Sequence, residues 1–288
     1  MSDEHIKPIL QTKDWNAEWQ LLQKLRQKSD SPEEWDKRAS TFPVKHGSQE
    51  GYVARFLELA DIQPGETVFD MGCGTGALAT PLALAGHHVI ACDFSRGMLD
   101  AMEADQRKLG ATGVEVKQFS WTDDWAEHGI MPKSADVAVA SRSIATNDLQ
   151  SALLKLNSVA RRKACITLPS GPSPRSDDEL LAACGFPNTI GRDFLYAFVI
   201  LTTAGFKPEV SYITNTRVDC YDSRTEAFES LLTIVTESVR GIASEDEIAA
   251  IPGKLDAWLD ENLVSDGSGV RLKHERNVVW AYLSWQTT

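Results

Sequence analysis

Basic residues are in short supply. The chain sets 29 Lys and Arg against 41 Asp and Glu, a formal charge of −12 over 288 residues and a pI near 5.0. A surface this acidic repels polyanions, which argues against nucleic acid or an anionic membrane as partner. Also missing is any uninterrupted apolar run approaching the roughly 18 residues that a membrane helix needs. The N-terminus, MSDEHIKPIL, is acidic and has no basic stretch ahead of an apolar one. The five cysteines, Cys73, Cys92, Cys165, Cys184 and Cys220, are odd in number, widely spaced and never paired as CxxC. They read as reduced thiols of a cytoplasmic protein rather than a disulfide framework. His87 and His88 are adjacent, the wrong spacing for ligating one metal from one face, so no metal is expected. What remains is ordinary globular composition, 42% apolar and 24% charged. The length suggests about two domains, or one domain with an accessory lobe.

Residues 1–50 are polar yet hold Trp15, Trp19 and Trp35. Trp15, Trp19 and Leu22 fall on one face of a helix that must cover something. GYVARFLELA sets Val53, Phe56, Leu57 and Ala60 at helical spacing, and Pro64-Gly65 ends it. From residue 66, short apolar runs alternate with helical patterns. TVFDMG, HVIACD, VEVKQF, ADVAVAS and KACITLPS predict five strands by about residue 170. Strands separated by helix-length connections mean βαβ units and a parallel sheet between helices. Ser95 is placed to cap a helix whose inner face is Met98, Leu99 and Met102. Beyond the loop SGPSPRSDDE come an apolar helix (FLYAFVILTTAG), a strand (EVSYITNTRVD), helices over 224–264, and a closing strand in GVRLKHERNVVWAYLSWQ. The order of strand, helical excursion and strand predicts an antiparallel pair at the end of the sheet and an insertion at 224–264.

The sharpest feature is Val68-Phe69-Asp70-Met71-Gly72-Cys73-Gly74-Thr75-Gly76-Ala77, a strand that runs straight into a glycine-rich turn and a helix. At such a turn a ligand lies against bare backbone and unpaired helix N–H groups. Asp93 ends the next strand, 21 positions after Gly72, where a carboxylate can accept from both hydroxyls of a ribose. Two cofactor classes fit this much, because Gly72-x-Gly74-x-x-Ala77 also satisfies a dinucleotide fingerprint. Asp70 separates them. A pyrophosphate at this turn would meet its like charge, whereas the cationic amino-acid end of S-adenosylmethionine would meet an opposite one.

These residues resemble class I S-adenosylmethionine-dependent methyltransferases of the small-molecule type. Asp70-x-Gly72-x-Gly74-x-Gly76 looks like the family's first motif and Asp93-Phe94-Ser95-x-x-Met98-Leu99 like its second. The resemblance implies a doubly wound, Rossmann-like α/β fold with a seven-stranded, mostly parallel sheet and an antiparallel terminal strand. It implies S-adenosylmethionine as cofactor and S-adenosylhomocysteine as product. Gly72, Gly74 and Gly76, with Cys73 beside them, would line the methionine end, Asp93 the ribose, and Phe94 and Met98 the adenine. Where many relatives carry Asp to accept from the adenine amino group, this chain has Ser120, with Trp121 beside it as a stacking surface. Ser141 and Arg142 would end the fourth strand facing the transferred methyl, which makes Arg142 a candidate for holding a substrate acid group.

Trp35-Asp-Lys-Arg38-Ala39 is similar to a WxxRA stretch that folds over the cofactor in several small-molecule methyltransferases. His46, in the loop that follows, is a candidate base. The organisation expected is a helical lid segment over 1–50, a cofactor-binding domain over 51–223 and 265–288, and a helical cap over 224–264. Residues 241–270 hold seven carboxylates against Lys254, so a small-molecule acceptor fits the mouth better than nucleic acid. A homodimer is compatible with the chain. Two other readings stay open at this point: an NAD-dependent oxidoreductase, and a methyltransferase-like module that binds without turnover.

Overall fold

The computed structural model describes residues 14–26, 31–39, 50–170, 177–186, 193–239, 243–265, 267 and 269–287. Its centre is a seven-stranded sheet of β1 (Val68–Met71), β2 (Val89–Asp93), β3 (Val114–Gln118), β4 (Ala135–Ser141), β5 (Ala160–Pro169), β6 (Glu209–Arg217) and a long last strand, β10 (Arg276–Gln286). The spatial order is β3-β2-β1-β4-β5-β10-β6. β1 to β5 pair in parallel, and β10 runs antiparallel to both its neighbours, β5 and β6. Every residue of β1 and β2 is buried, as expected of strands covered on both faces.

On one face lie α1 (Trp15–Arg26), α6 (Leu149–Val159) and α8 (Asp193–Thr203), around a core containing Trp19, Phe69, Leu153 and Ile200. The other face carries α3 (Glu50–Ala60), α4 (Ala79–Leu84) and α5 (Arg96–Leu109), around Phe56, Val68, Leu82 and Leu99. α2 (Pro32–Ala39) packs on α5. Chain order runs outward from β1 through β2 to β3, then returns to β4 on the opposite side. The strand order therefore reverses between β1 and β4, and ligands of open α/β sheets bind in the crevice at the carboxyl ends there.

Two local expectations shift. The buried face of α3 is Tyr52, Phe56 and Ala60, while Val53 and Leu57 are half-buried at its margin. The helix is turned toward a side chain that propensity reads as a boundary residue, because the Tyr52 hydroxyl finds buried partners on the sheet. The buried end of Lys163 donates to the carbonyls of Leu59 and Ala60 at 2.9 and 3.1 Å, capping α3 and holding it in place. The final run is not one strand but two: β9 (Val270–Leu272) and β10. β9 joins β7 (Cys220–Tyr221) and β8 (Leu263–Ser265) in a separate three-stranded sheet, ordered β7-β9-β8.

Residues 224–264 contain α9 (Arg224–Ser238) and α10 (Glu245–Asn262), the latter opened by a capping box of Ser244 and Glu247. Their apolar core also draws in Leu180, Leu181 and Phe186 around α7 (Asp178–Ala183), and Leu272 of β9. The lobe is thus knit from three stretches of chain rather than one.

Candidate active site

The site grows from the exit of β1. Asp70 lies in the middle of that buried strand, with only 1% of its surface exposed. Burial pushes its carboxyl up to about 7, the nearby Asp93 charge adds to the rise, and a hydrogen bond from the Ala79 amide opposes it. Its Oδ2 has no hydrogen-bond partner. A buried carboxylate oxygen without a donor is costly, so it marks a place where a donor or cation belongs.

The turn that follows is pinned by amides of Gly72 and Cys73, both donating to the Cys92 carbonyl at 2.7 and 2.9 Å. Gly72 has φ of +72°, and a Cβ there would come within 2.3 Å of Ser143 Cβ. Its bare backbone is needed so that the end of β4 can close over the turn, where Ser143 Oγ donates to the Met71 carbonyl at 2.6 Å. Gly76 likewise leaves room for Met102 and Thr80. Gly74 differs: its φ is +55° and nothing lies within 4 Å of where a Cβ would stand. Two of the three glycines are explained by packing, and the middle one faces open space that a ligand can use. Cys73 is buried, and burial with the neighbouring Asp70 and Asp93 charges holds its thiol well above the ordinary range. It is therefore a neutral packing group and no nucleophile.

Asp93 ends β2 and ties the two halves of the site together. Its Oδ2 accepts from the Gly74 amide and its Oδ1 from the Ser95 amide, each at 2.9 Å. Burial raises its pKa, and those amides pull it partly back. Each oxygen keeps a further lone pair for a hydroxyl. Ser95 caps α5 as expected, its Oγ accepting from the Met98 amide at 3.1 Å. The same hydroxyl donates at 2.6 Å to Asp36 Oδ1, which also accepts from the Gly97 amide at 2.9 Å. Asp36 belongs to α2, so the WDKRA segment sits on the start of α5, one residue from Asp93. Those bonds hold the Asp36 carboxyl below its ordinary value.

Phe94 is half-buried and Met98 is fully buried on the inner face of α5. Ser120 is engaged locally, its Oγ 2.9 Å from Thr122 Oγ1 and its amide donating to Asp123 Oδ2 at 2.7 Å. The Trp121 indole N–H reaches the Ser143 carbonyl at 2.8 Å, tying the loop after β3 to the loop after β4. Ser141 Oγ lies 2.8 Å from the Tyr52 hydroxyl, which is also 2.8 Å from Thr167 Oγ1. Arg142 follows, in a left-handed backbone conformation with φ of +57°. His46 lies outside the described residues.

The structure thus brings Asp70, Gly72, Gly74, Asp93, Trp121, Ser141 and Arg142 to the carboxyl ends of β1, β2 and β4 or the loops after them. Sequence reasoning missed Asp36, Tyr52, Ser143 and Thr167. Only Asp36 left a signal, its place inside the WxxRA stretch. Among the described residues no cluster of His, Cys, Asp or Glu could hold a metal ion, and no helix is long and apolar enough to cross a membrane.

A crevice with an unpaired carboxylate at one end, a bare glycine turn, and a second carboxylate with spare lone pairs suits a cationic amino acid joined to a nucleoside. It does not suit a pyrophosphate, which Asp70 would repel. Residues 62–183 match the family model of a methyltransferase domain. An uncharacterized protein of Haemophilus influenzae is 31% identical over 217 residues, covering 75% of this chain and 78% of that protein. A demethylmenaquinone methyltransferase of Corynebacterium glutamicum is 35% identical over 74 residues, 25% of this chain and 32% of that enzyme. The phosphoethanolamine N-methyltransferase 2 of Haemonchus contortus, solved with phosphomonomethylethanolamine and S-adenosylhomocysteine, shares the fold with a TM-score of 0.52 at 15% identity, over 90% of this chain and 60% of that one. The chain belongs to the class I S-adenosylmethionine-dependent methyltransferases.

Proposed function

We propose that this protein binds S-adenosylmethionine in the crevice between β1 and β4 and transfers its methyl group to a small-molecule acceptor in the cytoplasm. The observation that carries the reading is the buried, partnerless Oδ2 of Asp70 beneath the Gly72–Gly76 turn. Asp70 would take the ammonium of the cofactor, the open side of Gly74 its methionine chain, and the remaining lone pairs of Asp93 the two ribose hydroxyls. Phe94, Met98, Ser120 and Trp121 would bound the adenine, and Ser141 the methionine end near β4. The bound cofactor would supply a sulfonium carbon already primed for displacement.

The protein's part is then to place the acceptor in line and keep water out, which positioning effects make worth as much as about 7–11 kcal/mol. A general base is required only for an acceptor protonated at neutral pH, a role for which His46 is the candidate. α1 and α2 together with the lobe of α7, α9 and α10 would form the cover that selects the acceptor. A small acceptor is supported by the acidity of residues 241–270 and by the small-molecule names of the matched relatives.

Calorimetry tests the reading. S-adenosylhomocysteine should bind and NADH should not. Because the cationic ligand favours ionised Asp70, binding near pH 6.5 should release up to one proton, read as a dependence of the heat on the ionisation enthalpy of the buffer. Tight NADH binding with no response to S-adenosylhomocysteine would establish the oxidoreductase alternative instead. Binding without turnover on any metabolite pool would establish a silent binding module.

A further inference from the structure

Arg142 stands one residue beyond β4, beside the cofactor turn: its neighbour Ser143 packs against Gly72 and hydrogen-bonds Met71. Its φ of +57° puts a long side chain in a conformation that non-glycine residues avoid, and such strain persists only where the surroundings hold it. Those surroundings are visible. The Arg142 amide donates to Thr167 Oγ1 at 3.0 Å, and the Tyr52 hydroxyl bridges Thr167 and Ser141. The guanidinium lies 4.1 Å above the Tyr52 ring and 6.0 Å from the Trp280 ring. Trp280 comes from β10, where it pairs with Pro169 at the end of β5. Helix α3 and strands β4, β5 and β10 therefore converge to hold one cation.

Stacking on a ring face uses the plane of a guanidinium and leaves its N–H edges directed sideways, which is the geometry that grips a carboxylate with two parallel hydrogen bonds. In a chain with twelve more acidic than basic residues, a cation fixed at the acceptor end of the crevice is the feature that would attract an anion there. Burial also lowers the pKa of Arg142, so a counter-charge arriving with the acceptor would be favoured.

We propose that Arg142, caged by Tyr52 and Trp280, receives a carboxylate of the acceptor, so that the substrates of this methyltransferase are small carboxylic acids. The inference rests on the methyltransferase reading above. The test is to saturate the protein with S-adenosylhomocysteine and follow its melting temperature and calorimetric response to acetate, benzoate and succinate, each against its uncharged amide. At least one carboxylate should bind where its amide does not. That binding should weaken tenfold or more in Arg142→Met and in Arg142→Asn, the second chosen because Asn tolerates a left-handed backbone. Arg142→Lys, a point charge without the fork, should retain part of it. S-adenosylhomocysteine affinity serves as the folding control and should stay within about threefold of the parent. Carboxylates binding the variants as well as the parent, or no better than the amides, would overturn the assignment. Failure of the parent to bind S-adenosylhomocysteine would instead count against the cofactor, and the same carboxylate and amide comparison on the ligand-free protein would still decide the role of Arg142.

Discussion

A carboxyl group sealed inside a parallel sheet has to be protonated, paired or compensated, and Asp70 is given one amide and nothing for its second oxygen. With a folded pKa of about 7 against 3.8 in its absence, it takes up a proton on folding across that interval. The sign follows directly: the ligand-free protein is most stable below about pH 4 as far as this group is concerned, loses stability as pH rises to about 7, and levels off above. At about 1.4 kcal/mol per pKa unit, the whole effect is on the order of 4 kcal/mol. Asp70→Asn removes the ionisation while keeping the shape. Its melting temperature should therefore exceed that of the parent at pH 8 by more than at pH 5, while its affinity for S-adenosylmethionine falls at least tenfold. A constant difference between the two proteins across pH would mean that Asp70 does not carry the titration. Asp70 and Asp93 were legible in the sequence because their roles follow from position next to a glycine turn and a strand end. Tyr52, Ser143 and Thr167 were not, since each acts through a partner at least 72 positions away, and no periodicity encodes such a meeting.

At the scale of elements, the first turn of the sheet works because β1 and β4 are allowed to touch. Gly72 and Ser143 are in contact with no room for one more carbon. Gly72→Ala should therefore act by separating the loop after β4 from the turn, with added backbone strain at positive φ. We expect a loss of about 2–3 kcal/mol in chemical denaturation together with weakened cofactor binding. Ser143→Gly in the same chain removes the colliding Cβ and Oγ, and should return part of the stability but not the part due to strain. Full additivity of the two substitutions would show that the close approach is not what the glycine protects. The strands and helices around this turn were readable from alternating apolar runs and the Ser95 cap, because each pattern is set by its own segment. The rotation of α3 toward Tyr52 was not readable, since it depends on hydroxyl partners contributed by β4 and β5. Nor was the division of the last run into β9 and β10. The residues between them, Lys273 to Glu275, continue the strand-like pattern, and only the second sheet gives β9 a different partner.

Across the whole molecule, the chain passes between the seven-stranded sheet and the lobe at two adjacent points, after β6 and before β10. Charged side chains meet there. Arg276 lies 2.6 Å from Asp219 and 3.9 Å from Asp177, and His274 is 2.9 Å from Asp177, which itself caps α7. Arg217 approaches Asp219 at 3.1 Å from the end of β6. Burial raises the Asp219 carboxyl, and Arg217 counters that rise. Arg276 is itself buried, so replacing it with Met leaves Asp219 and Asp177 with a missing counter-charge inside the joint, a change that costs about 3–5 kcal/mol when a buried pair is broken. The lobe has its own apolar core, built on Leu231, Leu255 and Leu272, while the cofactor turn rests on the two cores of the main sheet. The damage should therefore be local. Scanning calorimetry of Arg276→Met should show an early transition for the lobe that S-adenosylhomocysteine leaves in place, and a later one that the ligand raises as it does in the parent. Because the unpaired carboxylates are harmless once protonated, the early transition should move back toward the later one as pH is lowered toward 5. One cooperative transition, raised as a unit by the ligand at every pH, would mean instead that lobe and sheet unfold together and that the charged joint does not separate them.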